Sequence, residues 1–407
     1  MLVLCSFAVA TAEFVLVGLL PQIATELTVS LPAAGQLVTV YMLVVTVGGP
    51  VATILTRRLP RRGLLAATMA FASGAAVLSA LAGSYGVLLA ARLGSALAQA
   101  LFMAVASQVA MAVVPAERRT AAVARVFGGF ALATVIGLPL GTLVGQTYGW
   151  HATFVLVAAL AGVGLLGVVA FCPPIPVTGT RDVGSGVRAV LSPPVLRALL
   201  ITLLTLTGFV AVFTYVAPML RSVSGLRPGW VSVALVAYGL GTIAGNLLAG
   251  RVPPASIARL LPVPVSVLAL VLLAQGALLR YRPLAVAGLV LLGGAAFVVV
   301  PLVQTWLMGQ VGPHAAGLAA SVNISIAGVA GALGAGLGGA VLTAGLGLAW
   351  ISPVAAVPVL AAIAVAVGLR RVPEPPGPVD SGGTVESGGT AESAGSRAVS
   401  PGPGGGR

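Results

Sequence analysis

Twelve segments of this chain are apolar for long enough to cross a lipid bilayer, and a polypeptide so built has few ways to fold. A crossing helix needs about 20 apolar residues at roughly 1.5 Å each. Breaks at charged and Gly/Pro-rich stretches leave candidate spans at 3–24, 36–56, 64–82, 87–111, 122–146, 152–172, 196–218, 230–250, 260–279, 284–307, 318–343 and 349–369. In hydrocarbon, backbone N–H and C=O groups must be satisfied without water, which leaves helices for runs of this length. With 58% of the residues hydrophobic and 7% charged, a soluble core is excluded. The expected fold is an all-α membrane protein.

The longest internal break, Pro173 to Val195, holds two Pro-Pro pairs, three glycines and three charged residues, and it separates two groups of six spans. The expected organisation is a six-helix bundle over 1–172, a cytoplasmic central loop over 173–195, a second six-helix bundle over 196–371 and a disordered cytoplasmic tail over 372–407. That tail, with its near-repeat Ser381-Gly-Gly-Thr-Val-Glu386 and Ser387-Gly-Gly-Thr-Ala-Glu392, is too polar to bury a core. Two pseudo-symmetric bundles around a midplane site is the architecture of many carriers.

Charge sets the orientation. All 21 basic residues are arginine, and with the N-terminus inside sixteen of them fall in cytoplasmic segments. Arg221, Arg227, Arg280 and Arg282 fall outside, and Arg92 lies within span four. Sixteen against four places both termini in the cytoplasm. The net charge of +13 does not indicate nucleic acid, because the arginines are scattered among apolar spans without interleaved aromatics. The partners expected instead are the lipid bilayer, a small molecule and protons, with the chain acting as a monomer. Cys5 and Cys172 have no metal-ligand or disulfide spacing, and His151 and His314 lie at span ends. Neither HExxH nor a nucleotide-binding loop is present, so no enzyme activity, metal or cofactor is expected and any energy source is an ion gradient.

Of eight acidic residues, Glu13 alone lies well inside an apolar span. It sits about 15 Å from the start of that span, where an acid costs on the order of 2.5–3.5 kcal/mol and normally faces a cavity or a partner. Seven residues of helix put Ser6 on nearly the same face. A lone carboxylate suits protons better than sodium, which takes several oxygen ligands; the alternative is a structural residue hydrogen-bonded to a neighbouring helix. Near the span centres the polar and aromatic candidates for cargo contact are Tyr41, Gln99, Gln108, Tyr215, Tyr238, Asn246, Gln304 and Asn323. So sparse a set in an apolar cavity suits a neutral or amphipathic substrate, although each residue could equally join helices to one another.

Several motifs carry a resemblance. Span one reads Thr11-Ala-Glu13-Phe and Leu19-Leu-Pro-Gln-Ile-Ala24; the second loop reads Thr53-Ile-Leu-Thr-Arg57-Arg58-Leu-Pro-Arg61-Arg62; span four has Arg92; span five has Gly137-Leu-Pro139-Leu-Gly141. Span seven has Phe213-Thr-Tyr-Val-Ala-Pro218, and span eleven has Ala320-Ser-Val-Asn323-Ile-Ser. Over about residues 1 to 371 the chain resembles the major facilitator superfamily, and more narrowly its bacterial twelve-span drug/proton antiporters, the chloramphenicol and arabinose-type efflux proteins. The resemblance implies proton-coupled efflux of a lipophilic drug or small metabolite by alternating access, in the bacterial inner membrane. It further implies that Arg92 modulates Glu13, the only deep carboxylate its buried guanidinium could partner, in proton transfer; the alternative is that Arg92 snorkels to the nearby external surface. Gating would fall to Arg57, Arg58, Arg61 and Arg62, to Gly137, Pro139 and Gly141 facing the opposite bundle, and to the second-half pattern Gly245-Asn-Leu-Leu-Ala-Gly250-Arg251. The chain departs from the family where Arg57 stands at the usual Asp of the second loop, so a latch built on that acid lacks it; Glu117 or anionic lipid remains for the arginines. Two other readings are a sugar or small-metabolite transporter of the same fold and a non-transporting membrane sensor or scaffold.

Overall fold

Helix follows helix through the computed structural model, which describes residues 1–56, 59–115, 119–173, 191–311 and 313–369. Twelve helices among them are long and apolar enough to span a membrane. The first half comprises α1 (Leu2–Glu26), α2 (Leu31–Leu55), α3 (Arg61–Ala80), α4 (Tyr85–Ala112), α5 (Arg119–Leu132 continuing into Leu138–Tyr148) and α6 (Trp150–Phe171). The second half comprises α7 (Pro193–Thr214, then Val216–Ser222), α8 (Pro228–Ala249), α9 (Ile257–Leu260, then Pro262–Leu278), α10 (Arg282–Gly309), α11 (Pro313–Thr343) and α12 (Ile351–Leu369). The tail expected over 372–407, most of the central segment and the pair Arg57-Arg58 lie outside the described residues.

Prolines explain the two interruptions nearest the middle. Pro139 cannot donate to the carbonyl of Val135, and α5 widens into a π-turn at Ala133–Gly137 just ahead of it. In α7, Pro218 leaves the carbonyl of Thr214 without its usual partner; the helix breaks at Tyr215 and resumes with Met219 N–H donating to the Tyr215 carbonyl at 3.0 Å. Several hydroxyls inside spans are satisfied one turn back, as when Thr11 donates to the Phe7 carbonyl and Thr142 to that of Leu138, each at 2.7 Å.

Packing repeats with an offset of six helices. In the first half α1 packs on α5 and α6, α2 on α4, and α3 on α4 and α6; in the second, α7 packs on α11 and α12, α8 on α10, and α9 on α10 and α12. The contacts between halves obey the same rule, because α2 meets α11, α5 meets α8 and α1 meets α7. Small residues allow these approaches: a Cβ on Gly328 of α11 would meet the Thr46 side chain of α2, and one on Gly239 of α8 would come within 2.9 Å of Val135 of α5. The buried cluster runs through both halves, from Val15 and Leu16 of α1 to Ala355 and Val359 of α12. Large apolar side chains are left facing outward on α6, where Val155, Val163 and Leu166 are 54–69% exposed. Lipid solvates such a surface at no cost, whereas water would not.

Candidate functional site

Glu13 points from α1 towards α4 and α2, and the group that meets it is neutral. Gln99 of α4 donates its amide N–H to Glu13 Oε2 at 2.5 Å, while the Gln99 carbonyl accepts from the Tyr41 hydroxyl of α2 at 2.7 Å. Arg92 does not pair with Glu13. Its Nη1 donates to the backbone carbonyl of Ala12 at 2.6 Å, and its guanidinium carbon lies 4.1 Å from the centre of the Tyr41 ring. The expected direct partnership is therefore replaced by an indirect one: two side chains, Tyr41 and Gln99, stand between the cation and the acid. The cause is geometric, since Arg92 and Gln99 lie seven residues apart on one face of α4 and reach successive levels of α1. Arg92, Tyr41 and Gln99 are all buried, and Glu13 is partly exposed.

Tyr41 and Gln99, singled out as cargo candidates, are thus engaged with the acid. Two other candidates join across the second half: Thr202 of α7 donates to Asn323 Oδ1 at 2.7 Å, and the Asn323 amide donates to Gln304 Oε1 of α10 at 2.5 Å. Tyr215 is wholly buried where α7 breaks, with its hydroxyl 3.4 Å from the Ala335 carbonyl of α11. A Cβ on Gly35 of α2 or Gly338 of α11 would strike that ring, so these glycines form its cradle between the halves. Asn246 is exposed on α8, apart from these groups, and the side chain of Gln108 lies outside the described residues.

An aromatic chain that sequence reasoning did not assemble crosses between the halves. Phe14, next to Glu13, packs edge-on against Phe130 of α5 at 6.2 Å and against Phe213 of α7 at 6.4 Å. Phe213 continues to Tyr238 of α8 at 5.0 Å and to Phe209 at 5.5 Å, which in turn meets Phe297 of α10 at 6.2 Å. The signal was present in part: Phe209 and Phe213 are spaced i, i+4 on one helix face.

The residues expected to gate fall in different places from those anticipated. Gly137 and Gly141 do not face the opposite half; a Cβ on Gly137 would strike Thr11, and one on Gly141 would strike Val15, both on α1 of the same half. The π-turn ahead of Pro139 rotates Thr134 and Val135 towards Gly239 of α8 instead. Gly245 likewise serves packing inside the second half, against Gly294 of α10, and Gly250 closes α8 ahead of the exposed Arg251. Arg61 is buried at the start of α3, and Arg62 donates to the Val169 carbonyl of α6 at 2.7 Å. At the opposite end of the bundle Glu26 accepts from Trp150 Nε1 at 2.8 Å and lies 3.5 Å from His151 Nδ1, fastening the end of α1 to α6. Beside it opens a cleft of about 790 Å³ between the ends of α1, α5 and α7, lined by Gln22, Glu26, Gln146 and Arg221.

Twelve membrane-length helices in two halves whose packing repeats define a multi-pass membrane protein, and the family the chain matches is one of transporters, not enzymes. The chain belongs to the major facilitator superfamily, whose family model matches residues 2–335. It is 36% identical over 373 residues to the inner membrane transport protein YdhP of Escherichia coli strain K12, covering 91% of this chain and 95% of that one. It is also 36% identical over 382 residues to a chloramphenicol resistance protein of Streptomyces lividans, covering 92% and 96%. Among solved structures, a bacterial homologue of the human lysosomal transporter Spinster, inward-facing and occupied, superposes with a TM-score of 0.75 at 18% identity, over 91% of this chain and 95% of that one. The human organic anion transporter MFSD10 superposes with a TM-score of 0.65 at 17% identity, over 90% and 98%.

Proposed function

We propose that this transporter exports a lipophilic, aromatic small molecule from the bacterial cytoplasm in exchange for protons, with Glu13 as the proton site. The observation that carries the reading is that Glu13 is held by a neutral amide through one oxygen while, among the described residues, no salt bridge reaches it. A carboxylate so placed can take up and release a proton without breaking an ion pair. The aromatic chain beginning at Phe14 supports the cargo class, since ring faces and edges bind planar apolar compounds adaptably. The relative from Streptomyces lividans is named for resistance to chloramphenicol, which makes that compound the first to assay. Tyr41 and Gln99 belong, on this reading, to the proton site, and Thr202, Asn323 and Gln304 form the polar edge of the cargo site. The full chain in proteoliposomes should drive chloramphenicol or another aromatic drug against its gradient when a pH difference is imposed. A screen of a transporter-deficient host that yields no resistance, with no uphill movement in vesicles, would refute export.

Replacing Phe14 with Ala removes the ring that touches both halves. An aromatic pair contributes roughly 0.5–1.5 kcal/mol beyond its buried area, so KM for an aromatic cargo should rise about threefold to tenfold. An unchanged KM would remove Phe14 from the cargo path.

Orientation follows the arginine bias, with the Glu26 end outside and both termini inside. Ser84 and Ser222 are exposed at the Glu26 end and Leu59 at the other, whereas Ser224 is buried and the two native cysteines are buried thiols. Cysteine at position 84 or 222 should react with an impermeant reagent added to intact cells, and cysteine at 59 only after permeabilisation. The reverse pattern would overturn the orientation.

A further inference from the structure

We propose that Gln99, braced by Tyr41, is a charge-sensing clamp: while Glu13 is ionised it holds α1 in the present arrangement and prevents the empty carrier from turning over. The inference rests on Glu13 being the proton site and adds how its charge reaches the helices.

The amide of Gln99 is committed at both ends. Its carbonyl accepts the Tyr41 hydroxyl from α2, and its N–H is thereby turned towards Glu13 on α1. Three helices are joined through one amide. A hydrogen bond from a neutral donor to a carboxylate is roughly twice as strong as one to a neutral carboxyl group, so protonation of Glu13 weakens this junction without requiring any side chain to move first. The neighbouring tie is insensitive to protonation. Arg92 holds the carbonyl of Ala12 and the face of Tyr41, and a guanidinium keeps its charge throughout the working range of pH. Of these two ties between α1 and α4, one is constant and the other reads the charge on Glu13.

Both ends of the clamp lead to the contact between halves. Phe14, the residue after Glu13, touches Phe213 of the second half, and Met42, the residue after Tyr41, lies against Gly331 of α11. Among the described residues, the titratable and charged groups at the level of Glu13 are Tyr41 from α2 and Arg92 from α4. From the other elements packed on α1, Arg61 and Arg62 of α3 and the exposed Arg125 of α5 lie near the opposite end, His151 of α6 lies beside Glu26, and Arg221 of α7 lines the cleft at that same end.

An exchanger must not return empty and deprotonated, because protons would then run down without moving cargo. Ionised Glu13, clamped by Gln99, blocks that return; a bound proton or a bound cargo that displaces the amide releases it. No bond is made or broken beyond the carboxyl O–H.

The test is proton influx into proteoliposomes holding the full chain and a pH-sensitive dye, with an imposed pH gradient and no cargo. The unsubstituted protein should be tight. Gln99→Met, which keeps the volume and deletes the amide, should leak about tenfold faster, the factor expected from losing one charge-assisted bond. Tyr41→Phe, which keeps the ring under Arg92 and deletes only the hydroxyl, should leak about threefold faster. The double variant Glu13→Gln/Gln99→Met should be tight again, since no proton is carried. Monodisperse elution in detergent and an unchanged thermal transition exclude misfolding for each variant. Tight vesicles with both Gln99→Met and Tyr41→Phe overturn the clamp, as does a Gln99→Met leak that survives Glu13→Gln. If Glu13→Gln leaves uphill export intact, the proton-site reading falls and the clamp falls with it; if Glu13→Gln is dead and Gln99→Met is tight, the clamp alone falls.

Discussion

Glu13→Gln should reduce uphill export to the level of empty vesicles while still permitting cargo to exchange down its gradient. The amide has almost the shape of the carboxyl group and can neither gain nor lose a proton, so one state of the cycle becomes permanent. Gln99 can still donate to the new carbonyl oxygen, and Arg92 keeps its hold on Ala12, so α1 stays seated and the loss is one of coupling. A ligand or proton shifts a conformational equilibrium only through its differential affinity for the two states, and here the proton's contribution is gone. Glu13→Asp should retain part of the function, because the shorter side chain keeps the charge but reaches Gln99 less well. In the unsubstituted protein, uphill export should grow as the outside is made more acidic than the inside; in the Gln variant this dependence should be flat. Efflux from proteoliposomes under an imposed pH gradient reads all three, and undiminished uphill transport by Glu13→Gln would exclude Glu13 as the coupling residue.

The second large effect is expected at Gly137. A Cβ there would overlap the Thr11 side chain, whose hydroxyl is already bonded back to Phe7, so the neighbour can yield only by giving up that bond. Gly137→Leu must push α5 away from α1, and overpacking of this kind costs about 1–3 kcal/mol. Transport should fall by at least about tenfold, with a lowered thermal transition in detergent, because the helix that carries Glu13 loses its backing. Gly336 of α11 and Gly74 of α3 have nothing within 4 Å of such a Cβ, so Gly336→Leu and Gly74→Leu should transport normally. Thr11→Ala should partly rescue Gly137→Ala by clearing the same space. Full activity of Gly137→Leu at normal abundance would mean that the approach of α1 and α5 does not matter.

The contrast between Gly137 and Gly336 marks the limit of what could be read in advance. Both are glycines in apolar helices; a motif set Gly137 apart, but nothing in the one-dimensional chain says which neighbour either of them faces. Spans were legible because burying backbone in hydrocarbon demands long apolar runs, a condition that is local in sequence; most boundaries found by composition lie within a few residues of the helices. The break in α7 at Tyr215 and the π-turn before Pro139 were half legible, since a proline announces a lost donor but not how the helix accommodates it.

The candidate site divides along the same line. Glu13 and Arg92 stood out because charge inside an apolar span is expensive and therefore rarely idle. Which atoms they touch was not legible: Arg92 was expected on Glu13 and lies on Ala12 and Tyr41, and Gly137 was expected to face the other half and faces α1. Composition and spacing by themselves determined that this chain crosses the membrane twelve times and carries one carboxylate well within a span, because solvation in lipid is decided residue by residue. Only the tertiary structure decided that a tyrosine and a glutamine come between the acid and the arginine, because rotation of each helix about its axis is set by side-chain packing among α1, α2, α4 and α5, and three of those helices meet at Glu13 from distant parts of the sequence.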